Sequence, residues 1–303
     1  MFKNAMIYRI ETAGEVPLTD LQAKLAANQF TECMPSQESS CGWVPPRAEN
    51  GAMVEAIGGH WIFRLQSEVK AIPAAVLKRR VKKMAADIEK HTGQKPGRKL
   101  LKELAEDAKT ALMPMAFSKI TQLTAWFDIH TGLLVLDTAS AAAADGFVTQ
   151  LVRGVDGLQV MPVNTVKVPA DVMEAWLLDT QDITDAARQG FAIGSCCELE
   201  RPDELKAKVR WDNLDVNTDV VRGYLKSGFT PTKLELIFGG VQFILTDAGT
   251  LQKLDFGDVV PFGGDYEDMF DADVVLMTGA MAPMIRALIQ ALGGEVVRDG
   301  GAV

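Results

Sequence analysis

The chain has 303 residues, of which 48% are hydrophobic and 23% are charged, and its formal net charge is −9. This composition is that of a globular protein and excludes an intrinsically disordered or collagen-like chain, and the length predicts roughly two domains. No run of about 18 apolar residues occurs, and the N-terminus lacks the apolar core of a signal peptide, so we expect no membrane span and a cytoplasmic location.

The first third of the chain shows alternating strand patterns and one short helical pattern. In chain order we predict a strand at residues 2–10, an amphipathic helix at 18–28, a rigid extended or turning loop at 41–47, which holds two prolines, and a strand at 61–69 that Pro73 closes.

An intensely basic segment follows. Between Val76 and Lys102 the chain holds ten Lys or Arg but only two acids, a formal charge of +8, so the other residues must carry −17. We predict two helices here, because apolar residues recur at helical spacing and a Gly/Pro-rich loop separates them. The predicted apolar positions are Leu77, Val81, Met84 and Ile88 in the first helix and Leu101, Leu104, Ala108 and Leu112 in the second, at about 98–112.

Two β-hairpins are predicted in the remaining chain, at 124–140 around His130-Thr131-Gly132 and at 241–256 around Asp247-Ala248-Gly249. Hairpins pair antiparallel, so the fold class is α+β rather than alternating βαβ. Residues 170–226 are expected to form short helices and loops. Residues 280–294 are expected to form a final helix with Pro283 in its first turn.

Motifs for common enzyme chemistry are missing from the sequence. Neither a phosphate-binding loop nor a Rossmann fingerprint occurs, and the three histidines and four cysteines lack metal-site or redox spacing. We therefore predict no cofactor and no bound metal, surface positions for His60, His91 and His130, and reduced thiols without a catalytic role.

One acidic pair leaves a nuclease alternative open. Residues 270–279 read as the start of a strand, on which Asp271 and Asp273 would share one face and could hold Mg²⁺. The competing interpretation is a pair of solvated acids.

The basic segment is the strongest functional signal, although a merely solvated helical face would also be rich in Lys. Its cations recur on consecutive turns and contrast with an acidic remainder, which favours a surface that follows a phosphate backbone. Few aromatics interleave with the cations, and no helix-turn-helix or zinc-finger spacing is present. The prediction is backbone-directed duplex binding; the alternative is a protein-interaction module that docks an acidic partner.

Five segments resemble the bacterial recombination-associated RdgC family, in family order and across the full chain. They are FKNAMIYRI (2–10), GWVPP (42–46), LMPMAFSK (112–119), FDADVVLMTG (270–279) and ALGGE (291–295). The resemblance implies a non-enzymatic protein whose ring-shaped homodimer encircles double-stranded DNA without sequence specificity and modulates RecA-dependent recombination. It implies a nucleoid-associated protein with no membrane partner.

The resemblance also implies a bent α+β subunit with antiparallel sheets, divided into three parts. These are a central β-rich part of residues 1–74 and 118–168, a helical basic tip of 75–117, and an α+β base of 169–303. Phe117 corresponds to a subunit contact. Met115 replaces a usual family arginine, and Ala280 replaces a usual glutamate. The predicted DNA contacts are Lys78, Arg79, Lys82, Lys83, Lys90, Lys95, Arg98, Lys99, Lys102, Lys119 and, in the base, Lys233.

Overall fold

The structure is a computed structural model that describes residues 1–11, 17–48, 50–178, 189–203, 206–257 and 266–296. Within these ranges the chain is a mixed α+β molecule with one large antiparallel sheet, which confirms the predicted fold class.

The strands include some that alternate apolar and polar residues, as expected where only one face of a sheet is buried, and central ones that are largely apolar. They are β1 (Asn4–Ile10), β2 (Ser39–Val44), β3 (Val54–Ile57), β4 (His60–Ala71), β5 (Phe117–Asp128), β6 (Leu133–Leu136), β7 (Val160–Pro162), β8 (Ala192–Glu200), β9 (Lys208–Trp211), β10 (Thr230–Phe238), β11 (Val241–Thr246) and β12 (Leu251–Asp255).

The helices include all three that were predicted in the first half of the chain. They are α1 (Leu18–Ala27), α2 (Ala74–Thr92), α3 (Arg98–Leu112), α4 (Ala141–Gly154), α5 (Pro169–Leu178), α6 (Asp219–Lys226) and α7 (Tyr266–Ala291), with a short 3-10 turn at Met113–Met115.

The sheet follows the order β2-β4-β5-β6-β1-β12-β11-β10-β8-β9, with β3 paired to β4 and β7 paired to β1. All these pairs are antiparallel. Both predicted hairpins are confirmed: β5 pairs with β6 and β11 pairs with β12.

Two hydrophobic cores lie on opposite faces of the central strands. Along β4, Ile62 belongs to the core that α5, α6 and α7 cover, whereas Trp61 and Phe63 belong to the core that α1 and α4 cover. Because helices cover both faces, these strands are nearly continuous apolar runs rather than alternating ones.

The structure corrects several local predictions. Residues 41–44 belong to β2, so the predicted loop begins only at Pro45. Residues 270–279 form part of α7 rather than a strand, and Pro283 lies inside this helix instead of in its first turn. Leu101, predicted to be buried in α3, is exposed, while Leu104 and Ala108 are buried as predicted.

Helix α7 contains a segment, Met269–Ala291, that is long and apolar enough to cross a membrane by length and composition. The segment is not an unbroken apolar run in the sequence, because charged residues and Pro283 interrupt it. One side of the helix, including Met281, Met284 and Ile285, is buried against the sheet. The segment therefore meets this test while supplying part of the protein's own core.

Candidate nucleic-acid interface

The basic segment forms a helical hairpin, α2–α3, inserted at the end of the β4–β5 strand pair. Strand β4 ends at Ala71 and β5 begins at Phe117, and these two residues are directly opposed in the ladder. Everything between them projects from the sheet as a two-helix extension.

The two helices pack mainly on each other. Pro73 precedes α2, and Gly93 ends it in the left-handed conformation that only glycine adopts without strain, donating its N–H to the Glu89 carbonyl at 2.8 Å. No residue of α2 is fully buried, and no residue of either helix belongs to the two cores. The hairpin is thus an appendage whose surface can vary with little cost to the fold.

All ten cationic side chains between Val76 and Lys102 are exposed. None of them forms an ion pair within 4 Å with any residue that the structure describes. This holds for the nine predicted contacts from Lys78 to Lys102 and for Arg80, which was not among them. Unpaired, exposed cations can contact an anionic polymer without first breaking an internal bond.

The only ion pair on the hairpin within the described ranges fastens its return helix to the rest of the molecule. The ammonium of Lys109 on α3 lies 2.6 Å from the Glu38 carboxylate, and the pKa of Lys109 is raised mainly by this hydrogen bond. The paired lysine therefore lies near the end of α3, whereas the ten cations of residues 76–102 have no ion pair with a described residue.

An exposed apolar patch lies where the hairpin rejoins the sheet. Phe117 leaves 91% of its surface in solvent, and Met115, two residues before it, is also exposed. Lys119 is exposed beside Phe117 on the same strand face, since the two residues are two positions apart on β5. Phe117 and Met115 together form an exposed apolar surface, which makes this place a candidate for contact with a partner.

A polar row on the β4–β5 pair was missed from the sequence. Arg64 donates to Thr124 at 3.1 Å and lies opposite it in the ladder, and Gln122 donates to Gln66 at 2.7 Å. Burial lowers the pKa of Arg64. The signal was present, because polar residues alternate with Leu65 and Leu123 along both strands, but only the pairing register brings the two rows together.

Lys233 lies on β10, far along the sheet from the hairpin, and is half-buried. Its ammonium lies 3.3 Å from the Glu198 carboxylate. Burial alone would raise the pKa of Glu198, but Lys233, Thr232 and Lys208 lower it below its ordinary value. A phosphate that contacted Lys233 would have to compete with this carboxylate, so its role in DNA contact stays a prediction.

The acidic pair does not have the geometry assumed for a nuclease. Asp271 and Asp273 lie on helix α7, where residues two apart point in different directions. Asp271 pairs with Arg47, whose guanidinium also lies 4.8 Å from the centre of the Phe270 ring. Among the residues whose side chains are described, no three His, Cys, Asp or Glu are placed to hold a metal ion.

Of the histidines and cysteines, His91 alone lies on the basic hairpin. His91 and His130 are exposed as predicted, but His60 is largely buried and accepts a hydrogen bond from the Trp126 indole at 3.1 Å. All four cysteines are free thiols. Burial raises the pKa of Cys197 to about 12, which keeps that thiol unreactive.

Comparison with known proteins places the whole chain among recombination-associated proteins. The profile of the family described as "Putative exonuclease, RdgC" matches residues 1–295. The chain is 36% identical over 301 residues to the recombination-associated protein RdgC of Janthinobacterium sp. (strain Marseille), with 97% of this chain and 98% of the relative covered. It is also similar to the proteins of the same name from Herminiimonas arsenicoxydans, at 36% identity over 97% of this chain and 98% of the relative, and Dechloromonas aromatica (strain RCB), at 33% over 98% of each.

Proposed function

The chain belongs to the RdgC family, and from this premise we propose that it binds double-stranded DNA without sequence specificity. We further propose that it does so as a ring-shaped homodimer that encircles the duplex and modulates RecA-dependent recombination, without an enzymatic activity of its own. The name of the relatives supports the link to recombination, and the surface of the chain supports the link to DNA.

One observation carries the proposal: ten exposed cations, free of ion pairs with described residues, on a hairpin that contributes nothing to either core. A stabilising role would bury or pair at least part of this charge. Contacts to phosphate position a protein on DNA but carry no sequence information, which suits binding at any site.

The homodimer is proposed from the exposed patch at Phe117. A two-fold axis near this patch would bury the phenylalanine against its counterpart and bring two basic hairpins to the same duplex. The acidic remainder of each chain would repel DNA from other surfaces.

Reversing the hairpin charge tests the proposal directly. We expect replacement of Lys82, Lys83, Arg98 and Lys99 by Glu to abolish binding to random-sequence duplexes, measured by fluorescence anisotropy. The fold should survive, because all four side chains are exposed.

A control with the same change in net charge separates local from global electrostatics. The exposed cations Arg153, Lys206, Lys226 and Lys253, replaced by Glu, should leave most of the affinity intact. If the hairpin variant binds duplex as tightly as the wild type, the hairpin is not the interface. If the wild type binds an acidic protein but not duplex at moderate salt, the protein-interaction alternative replaces the proposal.

The description of the matched family favours a second candidate, an exonuclease. End-labelled duplex incubated with the protein and Mg²⁺ distinguishes the two, because shortening from the ends would establish the nuclease and intact label would exclude it under those conditions. An Asp271→Ala variant shows whether any cleavage depends on the acidic pair, and since this change also removes a partner of Arg47, its fold is checked by thermal unfolding.

A further inference from the structure

A cleft of about 480 Å³ lies away from the basic hairpin, between the middle of β1, the segment that follows β7, the first turns of α4, the β11–β12 turn and the C-terminal end of α7. It shares no residue with α2, α3 or the Phe117 patch. Its volume falls within the range of about 300–1,000 Å³ that is usual for small-ligand sites.

The floor of the cleft is apolar and is built from four separate parts of the chain. Such a floor accepts the methylene groups of a ligand. The apolar residues that line it include Met6, Ile7, Val163, Val168, Leu288 and Leu292.

Two carboxylates stand at the same cleft without a counter-ion. Asp145 and Asp247 both line it, and neither forms an ion pair with a residue that the structure describes. No Lys, Arg or His is among the described residues of the lining. Lys208 feels the charge of Asp247, but its ammonium is already 2.8 Å from Glu200. The cleft therefore carries uncompensated negative charge.

Two hydroxyl groups in the cleft are a second indication, independent of these acids, that it binds a ligand. Tyr8 and Thr250 are 5% and 7% exposed and line the cleft. Neither side-chain oxygen forms a hydrogen bond with a described residue. Both oxygens remain accessible to solvent. Burial, and after it the charge of Asp145, raises the pKa of the Tyr8 phenol, so this hydroxyl stays neutral and senses the carboxylate. Both hydroxyls can therefore be reached from the cleft, where a ligand can bond to them.

We propose that this cleft binds an aliphatic amine: a short diamine, or a lysine side chain presented by a polypeptide. An ammonium has three N–H donors, which the carboxylates and the two free hydroxyls can accept, while its methylene stem lies on the apolar floor. The carboxylates disfavour anions, and a neutral ligand of the same shape would leave them without a counter-charge. The site goes beyond the proposed DNA-binding function and does not depend on it.

Calorimetric titration of the full chain in the absence of DNA tests the inference, so that its result is independent of DNA binding. Putrescine should bind, and butanediol, which replaces both ammonium groups by hydroxyls, should bind at least tenfold more weakly. Nα-acetyl-lysine N-methylamide, which keeps its side-chain ammonium, distinguishes the source of the amine. Tighter binding than putrescine indicates a polypeptide lysine, and weaker binding indicates a free diamine.

Substitutions locate the binding. Asp145→Asn and Asp247→Asn should each weaken putrescine binding at least tenfold, and both residues are exposed, so the fold should survive. Tyr8→Phe and Thr250→Val, which remove only the hydroxyls, should weaken it severalfold. Asp156→Asn, an exposed acid outside the cleft lining, gives the same charge change and should have no effect. The inference is overturned by absence of amine binding, by equal binding of the diol, or by unchanged affinity in the double Asp variant.

Discussion

At the scale of single residues, Phe117 gives the sharpest test of self-association. Its side chain is 91% exposed, so Phe117→Ala removes no packing within the subunit, which should still fold. If Phe117 is the aromatic anchor of the proposed subunit contact, its loss should cost about 2 kcal/mol, close to thirtyfold in the dimer dissociation constant. Sedimentation equilibrium at several concentrations measures this.

Val220→Ala is the matched control, since Val220 is an exposed apolar residue on α6, elsewhere in the molecule. It should leave the dimer unchanged. A Phe117→Ala protein that associates as strongly as the wild type would move the contact away from this patch.

Gly42 on β2 tests how closely the chain at residues 28–30 packs against this strand. A Cβ there would collide with the backbone of Phe30, because residues 28–30 run beside the strand and Trp43 bonds to Asn28 at 3.0 Å. We expect Gly42→Ala to destabilise the fold by about 1–3 kcal/mol, as overpacking does. Chemical denaturation measures the change.

Gly146 provides the comparison, since it lies within α4 and a methyl group added at its Cα would meet no atom within 4 Å. Gly146→Ala should be neutral or stabilising by up to about 1 kcal/mol, because alanine restricts the unfolded chain and favours helix. Equal effects of the two substitutions would contradict the close approach at Gly42.

Helical spacing predicted the buried side of α3 only in part, since Leu101 of the same predicted stripe is exposed. Leu104 and Ala108 are buried as their spacing indicates. Other residue-level predictions failed where a distant partner decides the outcome. His60, predicted to be a surface residue, is instead held against Trp126 by strand pairing. The register of β10 with β8 brings Lys233 to Glu198, which no local pattern in the sequence specifies, and the DNA contact of Lys233 stays a prediction.

At the scale of elements, the helical hairpin should be removable. Ala71 and Phe117 are opposed across the ladder, so a two-residue Asn-Gly turn can replace residues 72–116 and close a β-hairpin. Because the deleted helices contribute to neither core, the unfolding free energy should change by less than about 2 kcal/mol. Thermal unfolding checks the fold.

The same deletion should abolish duplex binding, since it removes all ten exposed cations of the basic segment. Anisotropy with random-sequence duplex measures this directly. Retained binding by the folded deletion protein would show that the sheet, through groups such as Arg64, carries the interface.

Helices and strands with a regular spacing of apolar residues were predictable from the sequence. The errors in the other elements have identifiable physical causes. The two central hairpins and helices α1–α3 follow apolar spacing and turn residues. The start of α7 was read as a strand because Val274 and Val275 favour strands locally, whereas packing of Val274, Met277 and Met281 against the sheet decides for helix. Strand β2 was read as a loop because the prolines at 45 and 46 directly follow it.

At the scale of the whole molecule, charge is distributed very unevenly. The basic segment carries +8 and the rest of the chain −17. Sequence composition alone gives this contrast, but only the structure places the positive part on a projecting hairpin outside both cores. In a dimer the two basic segments would supply sixteen net positive charges to one ligand, while the remaining surfaces would repel it.

The dependence of binding on salt follows from this distribution. If about eight of the cations neutralise phosphates, the logarithm of the association constant should fall against the logarithm of salt concentration with a slope near −7, since each contact releases about 0.9 counterion. A titration by anisotropy in potassium chloride measures the slope. A slope shallower than about −2 would mean that few of these cations contact the backbone, because each phosphate contact contributes almost one unit. The hairpin variant with four Glu substitutions should lose both the affinity and most of its salt dependence, whereas the control variant should keep the slope.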